Sequence, residues 1–476
     1  MKNLLFIVVI IFTANLTQAQ WGADVRLTND TAASVLTFSR AMGIASNGDS
    51  IHVVWHDERD GNFEIYYKRS IDGGLSWGTD TRLTNVDSIS SNPAISISGS
   101  IIHIVWNDKR DGNGEIYYKR SADGGASWGG DIRLTNATAT SYCPSIAVSG
   151  SNVHISWTDL RNGNYEIYYK FSTDGGISWG NETRITNYAA MSYNTSISVS
   201  GSNVHIIWED KRNGNGEIYH KRSTDGGLNW GTDTRLTNNS SHSNLPTSAV
   251  SGSNLYVVWD DYRNGNWEIY FKHSTDGGLT WGADKRLTNS YGSSVWPKVA
   301  VSGSIVHIAW QDNRNGNDEI FYMYSMDGGL SWSSDTLLVN NSATMSEKPS
   351  ITLSGSAVHL IWQDKRDGPN GEIYYKRNPT GNLIGIKDLN FAKNDINVFP
   401  NPALDNISIL FPNKELSDIS ISIFNSLGIE IKRFEEKELV GKNAINFSTE
   451  SFPSGVYYCT LNYGTKKISR SFVVLR

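Results

Sequence analysis

Short apolar runs recur along this chain with a period of about fifty residues. Within each run, hydrophobic and polar positions alternate and β-branched residues are frequent, which indicates strands. Each run ends on a tryptophan, and successive tryptophans are 51 residues apart, with a last gap of 52. The seven tryptophans are Trp55, Trp106, Trp157, Trp208, Trp259, Trp310 and Trp362. A fixed period of this length predicts one structural unit per repeat.

Each repeat contains four candidate strands, which the third repeat illustrates. They are Ser145–Ser149, Val153–Trp157, Glu166–Ser172 and Arg184-Ile185-Thr186. Ser-Gly-Ser-Asn and Asn-Gly-Asn segments between them supply tight turns. A four-stranded sheet repeated at this period is typical of a propeller blade. The predicted fold is therefore all-β, with a seven-bladed β-propeller of four-stranded blades.

The two ends of the repeat region complement each other. The fourth-strand motif Arg-Leu-Thr-Asn first occurs at Arg26–Asn29, before any complete repeat, whereas the last repeat ends near Arg377 after three strands. We expect the N-terminal strand to complete the seventh blade. Such closure would hide the sheet edges that an open array exposes.

The first nineteen residues have the features of an export signal. Lys2 precedes an apolar run from Leu4 to Phe12, and a small residue, Ala19, precedes the predicted cleavage point. This arrangement predicts a signal peptide over residues 1–19. The run is short for a membrane span, and no later segment is apolar enough to cross a membrane. The mature chain is therefore expected to have no transmembrane segment.

Charge argues against a nucleic-acid partner, and the cysteine content argues against a disulfide. The 476 residues carry a formal net charge of −6 and show no basic stripe, so nucleic acid is not an expected partner. The two cysteines, Cys143 and Cys459, fall in different predicted domains. We expect no disulfide between them, and the stability must come from packing.

A second motif occurs six times, between the third and fourth strands of a repeat. It reads Ser-x-Asp-Gly-Gly, then one variable residue, a small polar residue and Trp. Its aspartates are Asp72, Asp123, Asp174, Asp225, Asp276 and Asp327. A short Asp side chain can accept backbone N–H groups in its own turn, and paired glycines permit positive φ. We expect a structural role for these aspartates rather than calcium binding.

These six motifs resemble the Asp-box, or BNR, repeat of the sialidase superfamily, over roughly residues 21 to 378. The resemblance implies a propeller domain, assigned to residues 20–378. It also implies that the Asp-boxes lie on one rim and that ligands bind at the opposite face.

Two further side-chain positions repeat around the predicted ring. The first is the Asp-x-Arg pair after each tryptophan, for example Asp57 and Arg59, which could bind acidic sugars or, as we favour, join neighbouring blades. The second is a strand-two histidine, with Tyr256 in the fifth repeat. These histidines are His52, His103, His154, His205, His307 and His359. We interpret them as packing or hydrogen bonding between blades, and we expect neither a metal nor a cofactor.

Departures from the repeat are better candidates for function, because a single site breaks symmetry. One varying position, just before strand three, carries aromatic rings in alternate repeats. Other varying positions lie before strand one. The ligand-binding candidates are Phe63, Tyr165 and Trp267 just before strand three, and Arg40, Tyr142, Tyr193 and Trp296 before strand one, where Glu347 also varies. Exposed aromatic rings suit sugar faces or protein partners, although neutral loop variation would give the same scatter.

The resemblance also raises the possibility of catalysis. Sialidases hold the substrate carboxylate with three arginines, use a Tyr–Glu pair as nucleophile and an Asp as acid/base. This chain lacks their Arg-Ile-Pro motif, and only Arg40 stands at a comparable place. The repeats insert almost nothing and suggest no unique Tyr–Glu pair, so no catalytic residue is assigned. We predict a secreted propeller that binds glycan or a surface protein; a sialidase-like exo-glycoside hydrolase and a surface-layer scaffold are the alternatives.

After residue 378 the repeat stops, and residues 379–394 read as a linker. Residues 395–476 contain Pro400-Asn401-Pro402, a central Gly428 and the strand Pro453-Ser454-Gly455-Val456-Tyr457. These motifs resemble the type IX secretion C-terminal sorting domain (type A). The alternating apolar strands favour a small Ig-like β-sandwich. The resemblance implies that the type IX secretion machinery is a partner and that the protein is extracellular or on the outer-membrane surface.

Overall fold

The computed structural model describes residues 21–37, 39–340, 344–381, 397–399, 403, 406–410, 419–425, 428–434, 444–463 and 466–474. The predicted signal peptide, most of the linker and Pro400-Asn401-Pro402 lie outside these residues. The chain divides into two compact units, Met1–Leu383 and Ile384–Arg476. Every regular secondary-structure element in the described ranges is a β-strand, so the all-β prediction is confirmed.

The described residues of the first unit form seven sheets, one for each tryptophan repeat, with antiparallel neighbouring strands. Sheet 1 contains β2 (Ser34–Val35), β3 (Ile44–Asn47), β4 (Ser50–Asp57), β5 (Glu64–Ser70) and β6 (Thr81–Arg82). Sheet 2 contains β7 (Ser90–Ser98), β8 (Ile101–Asp108), β9 (Glu115–Ser121) and β10 (Ile132–Arg133). Sheet 3 contains β11 (Ser141–Ser149), β12 (Asn152–Asp159), β13 (Glu166–Ser172) and β14 (Thr183–Arg184). Sheet 4 contains β15 (Ser192–Ser200), β16 (Asn203–Asp210), β17 (Glu217–Ser223) and β18 (Thr234–Arg235). Sheet 5 contains β19 (Ser243–Ser251), β20 (Asn254–Asp261), β21 (Glu268–Ser274) and β22 (Lys285–Arg286). Sheet 6 contains β23 (Ser294–Ser302), β24 (Ile305–Asp312), β25 (Glu319–Ser325) and β26 (Thr336–Val339). Sheet 7 contains β1 (Val25–Arg26), β27 (Ser346–Ser354), β28 (Ala357–Asp364) and β29 (Glu372–Asn378).

The first strands of the sheets pack side by side in chain order, and β27 of sheet 7 in turn contacts β3 of sheet 1. At that junction the N–H of Gly43 donates to Oγ of Ser350, and Oγ of Ser46 donates to the carbonyl of Leu353. The short strand β1 pairs with β29, with Val25 opposite Tyr375, in agreement with the expected N-terminal closure. The first strands line an open pocket of about 350 Å³, at residues such as Ile44 and Ile95.

The apolar core lies between neighbouring sheets. One cluster joins Val54 and Tyr67 of sheet 1 to Ile104 and Trp106 of sheet 2. Each repeat tryptophan is fully buried, and its indole N–H donates to the aspartate two residues later, as in Trp106 to Asp108 at 2.8 Å. The bond satisfies a buried donor, which explains why Trp-x-Asp recurs in all seven repeats.

The two ends of the sheets differ in their loops. We call the end with the Asp-x-Arg loops the mouth end; it comprises residues 58–63, 109–114, 160–165, 211–216, 262–267, 313–318 and 365–371. We call the other the box end, because the Asp-box turns lie there. In the first Asp-box, Oδ1 of Asp72 accepts the N–H groups of Leu75 and Ser76 at 3.0 and 2.9 Å. Trp77 then packs edge-on against Tyr375 of sheet 7.

Sheet 1 departs from the other sheets just before its inner strand. Seven residues, 36–42, lie between Val35 and Gly43, whereas two lie between the equivalent Ser91 and Ala94 of sheet 2. The first repeat therefore contains five additional residues, and the interpretation that the repeats insert almost nothing was wrong. We call residues 36–42 the inserted segment.

The C-terminal unit contains two sheets in its described residues. One holds β30 (Asn397–Phe399), β31 (Asn406–Leu410) and β34 (Ala444–Ser448), and the other holds β32 (Ile419–Asn425), β33 (Glu430–Phe434), β35 (Gly455–Tyr463) and β36 (Lys466–Val474). Ile407 of the first sheet shares one apolar core with Ile421 and Phe472 of the second. Cys459 is buried in this core, and both it and Cys143 are free thiols.

Candidate functional site

Sheets 2 to 7 all contain a backbone irregularity at the same place in their first strand. The register shifts there, between Tyr142 and Ser145 in sheet 3 for example. One non-glycine residue in each of these bulges has a φ between 51° and 59°. The six residues are Asn92, Cys143, Asn194, Leu245, Trp296 and Lys348. Positive φ strains such residues, and bulges of this kind often lie beside functional sites.

The strand-two residue between the invariant Trp and Asp is buried and differs among the repeats. These residues are His56, Asn107, Thr158, Glu209, Asp260, Gln311 and Gln363. Some of them accept the N–H of the bulge residue in the following sheet: Glu209 from Leu245, Asp260 from Trp296 and Gln311 from Lys348. The bond compensates for part of the strain at the bulge. Around the mouth end, an otherwise repetitive fold thus presents six different residue types over its seven sheets, with Gln in both sheets 6 and 7.

The inserted segment brings a cation to the centre of this site. Arg40 is 2% exposed, and its guanidinium lies 4.1 Å from the ring centroid of Trp296 in sheet 6. Burial lowers the pKa of Arg40 to about 10, against the opposing effect of Asp260. Nζ of Lys298, also in sheet 6, donates to the carbonyls of Ala41 and Ser39 at 2.7 and 3.3 Å. Sheet 7 packs between sheets 6 and 1, so the inserted segment of sheet 1 extends past sheet 7 to contact sheet 6.

A tyrosine and a glutamate meet in sheet 4. The hydroxyl of Tyr193 donates to Oε1 of Glu209 at 2.5 Å, and Nδ2 of Asn194 donates to Oε2 at 3.0 Å. Burial raises the pKa of Glu209, while these hydrogen bonds oppose the rise. Burial also raises the pKa of Asp260 well above its ordinary value. The interpretation that the chain has no unique Tyr–Glu pair was therefore wrong.

Partly exposed aromatic rings surround the pair. Tyr142 lies edge-on to Tyr165 with ring centroids 5.5 Å apart, and Tyr165 lies 6.2 Å from Tyr193. Nζ of Lys211 lies 5.2 Å from the Tyr193 ring centroid. Three of the aromatic candidates thus form one continuous surface across sheets 3 and 4, which can stack a planar or apolar face of a ligand beside hydrogen-bonding groups.

The remaining candidates lie apart from this surface. Trp267 packs against Tyr262 in sheet 5 at 5.1 Å, and Phe63 packs edge-on against the buried His56 in sheet 1 at 5.0 Å. Glu347 forms an ion pair of 2.8 Å with Lys365. The alternation of Phe63, Tyr165 and Trp267 along the sequence therefore does not correspond to one shared platform.

The arginines of the Asp-x-Arg motifs are paired with carboxylates of their own sheets, as Arg59 shows. Arg59 donates through Nε and Nη2 to Asp57 and through Nη1 to Asp80, all within sheet 1. The expectation that this pair joins neighbouring blades was wrong, and its saturation leaves little capacity for acidic sugars. Lysines form the connection between sheets instead, as when Nζ of Lys170 donates to the carbonyl of Leu134 at 2.7 Å.

The strand-two histidines bond within their own sheets. Nδ1 of His52 lies 2.7 Å from the hydroxyl of Tyr67 in the adjacent strand. Tyr67 in turn packs against Trp128 of the next sheet. In the part of the chain that the structure describes, no group of three or more His, Cys, Asp or Glu side chains is placed to hold a metal ion.

Sequence reasoning missed Glu209, Asp260, Lys298 and the inserted segment. The insertion leaves a signal in the spacing: 29 residues separate Arg26 from Trp55, but 24 separate Arg82 from Trp106. The variable position between Trp and Asp was also visible in the sequence. The burial of this position was not visible in the sequence, because it results from neighbouring sheets that cover both faces of strand two.

Comparison with known proteins identifies the C-terminal unit. Residues 397–475 match the family described as the secretion system C-terminal sorting domain. The protein is therefore exported by type IX secretion to the cell surface or extracellular space. No curated protein sequence matches the chain, and no helix of the described ranges has the length and apolarity to cross a bilayer.

Solved structures resemble the chain in fold. The polysaccharide lyase Uly1 is 10% identical, with a TM-score of 0.50 over 75% of this chain and 98% of its own. The endosialidase of phage phi92 is 10% identical, with a TM-score of 0.47 over 95% and 87%. A Trypanosoma rangeli sialidase is 11% identical, with a TM-score of 0.42 over 83% and 86%. Such low identities speak to fold alone, and of these three the first carries that argument.

Proposed function

We propose that this protein is a seven-bladed Asp-box β-propeller, exported through the type IX system, that binds a glycan at its mouth end. The seven sheets, the contact of β27 with β3 and the pairing of β1 with β29 support the blade count. In this proposal residues 1–19 are a signal peptide, 20–378 the propeller, 379–394 a linker and 395–476 an Ig-like sorting domain.

The observation that carries the proposal is the aromatic surface of Tyr142, Tyr165 and Tyr193. Its rings are partly exposed, contact one another across two sheets, and adjoin the amide of Asn194 and the carboxyl of Glu209. Sugar sites combine these features, because ring faces cover the apolar faces of a sugar while nearby polar groups bond its hydroxyls. The box end offers single exposed apolar side chains, such as Leu75 and Ile177.

The test is a glycan array with the mature secreted protein, its Tyr142→Ala/Tyr165→Ala variant and a Leu75→Ala/Ile177→Ala variant as matched control. Thermal unfolding of all three establishes that they are folded. Binding by the parent and the control that is lost in the tyrosine variant supports a mouth-end glycan site. Absence of binding by the folded parent across the array, sialosides included, would sink the proposal and favour a protein partner or a scaffold role.

A second candidate is sialidase-like hydrolysis, which the Tyr193–Glu209 bond favours. In sialidases such a pair is the nucleophile and an Asp is the acid/base, a role that Asp260 with its raised pKa would take here. Glu209 and Asp260 are only 3% and 1% exposed, so binding remains the first proposal. Release of a fluorogenic aglycone from a sialoside, abolished in Glu209→Gln and Asp260→Asn, would establish the hydrolase instead.

A further inference from the structure

The mouth end is less acidic in sheets 3 to 6 than in sheets 1, 2 and 7. The residue after each Asp-x-Arg motif is Asp60, Asp111 and Asp367 in sheets 1, 2 and 7, and Asn162, Asn213, Asn264 and Asn315 in sheets 3 to 6. All seven residues are exposed. The difference is not needed for folding, because Asp60 and Asn162 accept the same hydrogen bond from the equivalent tyrosines, Tyr66 and Tyr168.

Where Asn replaces Asp, the neighbouring arginine has one ion-pair partner fewer. In sheet 1, Arg82 pairs with Asp60 at 3.1 Å and with Glu64 at 2.9 Å. In sheets 3 to 5 the equivalent arginine keeps its glutamate, as Arg184 does with Glu166, and has Asn at the other position. These arginines are Arg184, Arg235 and Arg286, with side chains 29%, 28% and 29% exposed. Each of these sheets therefore carries one negative charge fewer at its outer mouth end.

The same three sheets carry most of the exposed mouth-end aromatic surface. We define the aromatic arc as six residues, two in or next to each sheet: Tyr142, Tyr165, Tyr188, Tyr193, Tyr262 and Trp267. Tyr188 lies 3.4 Å above the guanidinium of Arg212, and Lys211 lies beside Tyr193. The loops that precede strand one in sheets 1 and 2 contain Asp30 and Asp87, whereas those before sheets 3 to 7 contain no acidic residue in the sequence.

We infer that the ligand of the aromatic arc is an acidic polysaccharide chain that lies across sheets 3 to 5, an inference that rests on the proposed glycan binding. Three successive platforms match consecutive sugar rings of a polymer better than one terminal sugar. The loss of one carboxylate per sheet removes repulsion toward an anionic chain, although the whole protein has a net charge of −6. The partly exposed arginines supply guanidinium N–H donors for carboxylate or sulfate groups.

The experiment measures binding of the mature protein to alginate oligomers of increasing length, to dextran sulfate and to neutral dextran. The variant Asn162→Asp/Asn213→Asp/Asn264→Asp restores the acids of the other sheets and preserves the tyrosine hydrogen bonds. We expect it to bind acidic chains about tenfold more weakly, since it places three additional carboxylates beside the exposed arginines, and these repel an anionic chain. The matched control, Asp60→Asn/Asp111→Asn/Asp367→Asn, lies outside the arc and should bind at least as well as the parent.

Tighter binding with chain length, preference for a charged polymer and weakening at high salt support the inference. Preference for alginate assigns carboxylate, and preference for dextran sulfate assigns sulfate. Equal binding of neutral dextran, no dependence on length, or equal effects of the two variants would overturn it while leaving glycan binding intact. No binding to any polymer or array glycan would instead overturn the proposed function itself.

Discussion

The hydroxyl of Tyr193 donates a 2.5 Å hydrogen bond to the nearly buried carboxyl of Glu209, directly across two paired strands. No other repeat has this pair at these positions: Tyr142 faces Thr158 in sheet 3 and Glu347 faces Gln363 in sheet 7. Since the surrounding scaffold repeats almost unchanged, this contact distinguishes sheet 4.

Removing the hydroxyl should therefore cost stability. We expect Tyr193→Phe to lower the free energy of unfolding by about 1–3 kcal/mol, because it leaves a buried acceptor without one donor. Urea denaturation followed by tryptophan fluorescence measures the change. Tyr291→Phe, at a fully exposed ring, should leave the midpoint unmoved, and equal effects of the two substitutions would contradict the assignment.

The buried cation of the inserted segment should be coupled to the carboxyl beside it. Arg40→Met should destabilise the fold by about 2 kcal/mol or more, since Trp296 loses a buried cation–π contact and Asp260 loses the positive charge that favours its ionised form. Arg40→Met/Asp260→Asn should cost less than the sum of the single changes. A double-mutant cycle on unfolding free energies gives the coupling, and strict additivity would mean that the two groups do not interact.

Acid should weaken the propeller through its strand-two histidines. Burial lowers the pKa of His52, His103 and His205 to about 4, below the ordinary value of about 6.5. The unfolded chain therefore binds protons first, so stability is complete above pH 6.5 and falls as the pH drops toward 4. Melting temperatures should stay level between about pH 7.5 and 6.5 and decrease from about pH 6.5 to 4.5, and a flat profile over the lower range would contradict this origin.

One substitution tests the same chemistry within a single sheet. His205 lies 3.2 Å from His220, where the equivalent partner is Tyr67 in sheet 1 and Tyr118 in sheet 2. Burial lowers the pKa of His220 well below its ordinary value. His220→Tyr should raise the melting temperature and flatten its pH dependence, because it replaces a group that protonates on unfolding with a neutral hydroxyl. His242→Tyr, at an exposed position, serves as the control and should do neither.

The second Asp-box glycine should tolerate no side chain. Gly125 has a φ of +82° and an added Cβ would overlap the hydroxyl of Tyr67 from the preceding sheet. Gly125→Ala should therefore destabilise well beyond the roughly 1–2 kcal/mol of backbone strain. Gly112→Ala is the matched control, since Gly112 has a φ of +98° with nothing near its Cβ position. Similar unfolding free energies for both variants would show that the packing contact is unimportant.

Several features followed directly from local sequence patterns. The first three strands of the third repeat lie where alternation places them, although the first begins earlier, at Ser141. The fourth is Thr183–Arg184 and shares only Arg184 with its predicted range. The pairing of Val25 with Tyr375 follows from the displaced Arg-Leu-Thr-Asn motif. The position of the candidate site was harder to predict, because Phe63, Tyr165 and Trp267 look equivalent in the sequence. In the structure Phe63 packs beside a buried histidine, whereas Tyr165 belongs to a surface of tyrosines.

The sequence by itself determined the repeating strand pattern, the tryptophan core, the box turns and the sorting domain, because each depends on residues close together in the chain. Tertiary structure alone decided the composition of the site. Ring packing brings Lys298 to Ala41, 257 positions away, and Arg40 to Trp296. The bulges also interrupt the strand alternation, so no periodicity predicts which side chains turn toward the mouth. Such contacts depend on how whole sheets meet, and local patterns carry no information about that.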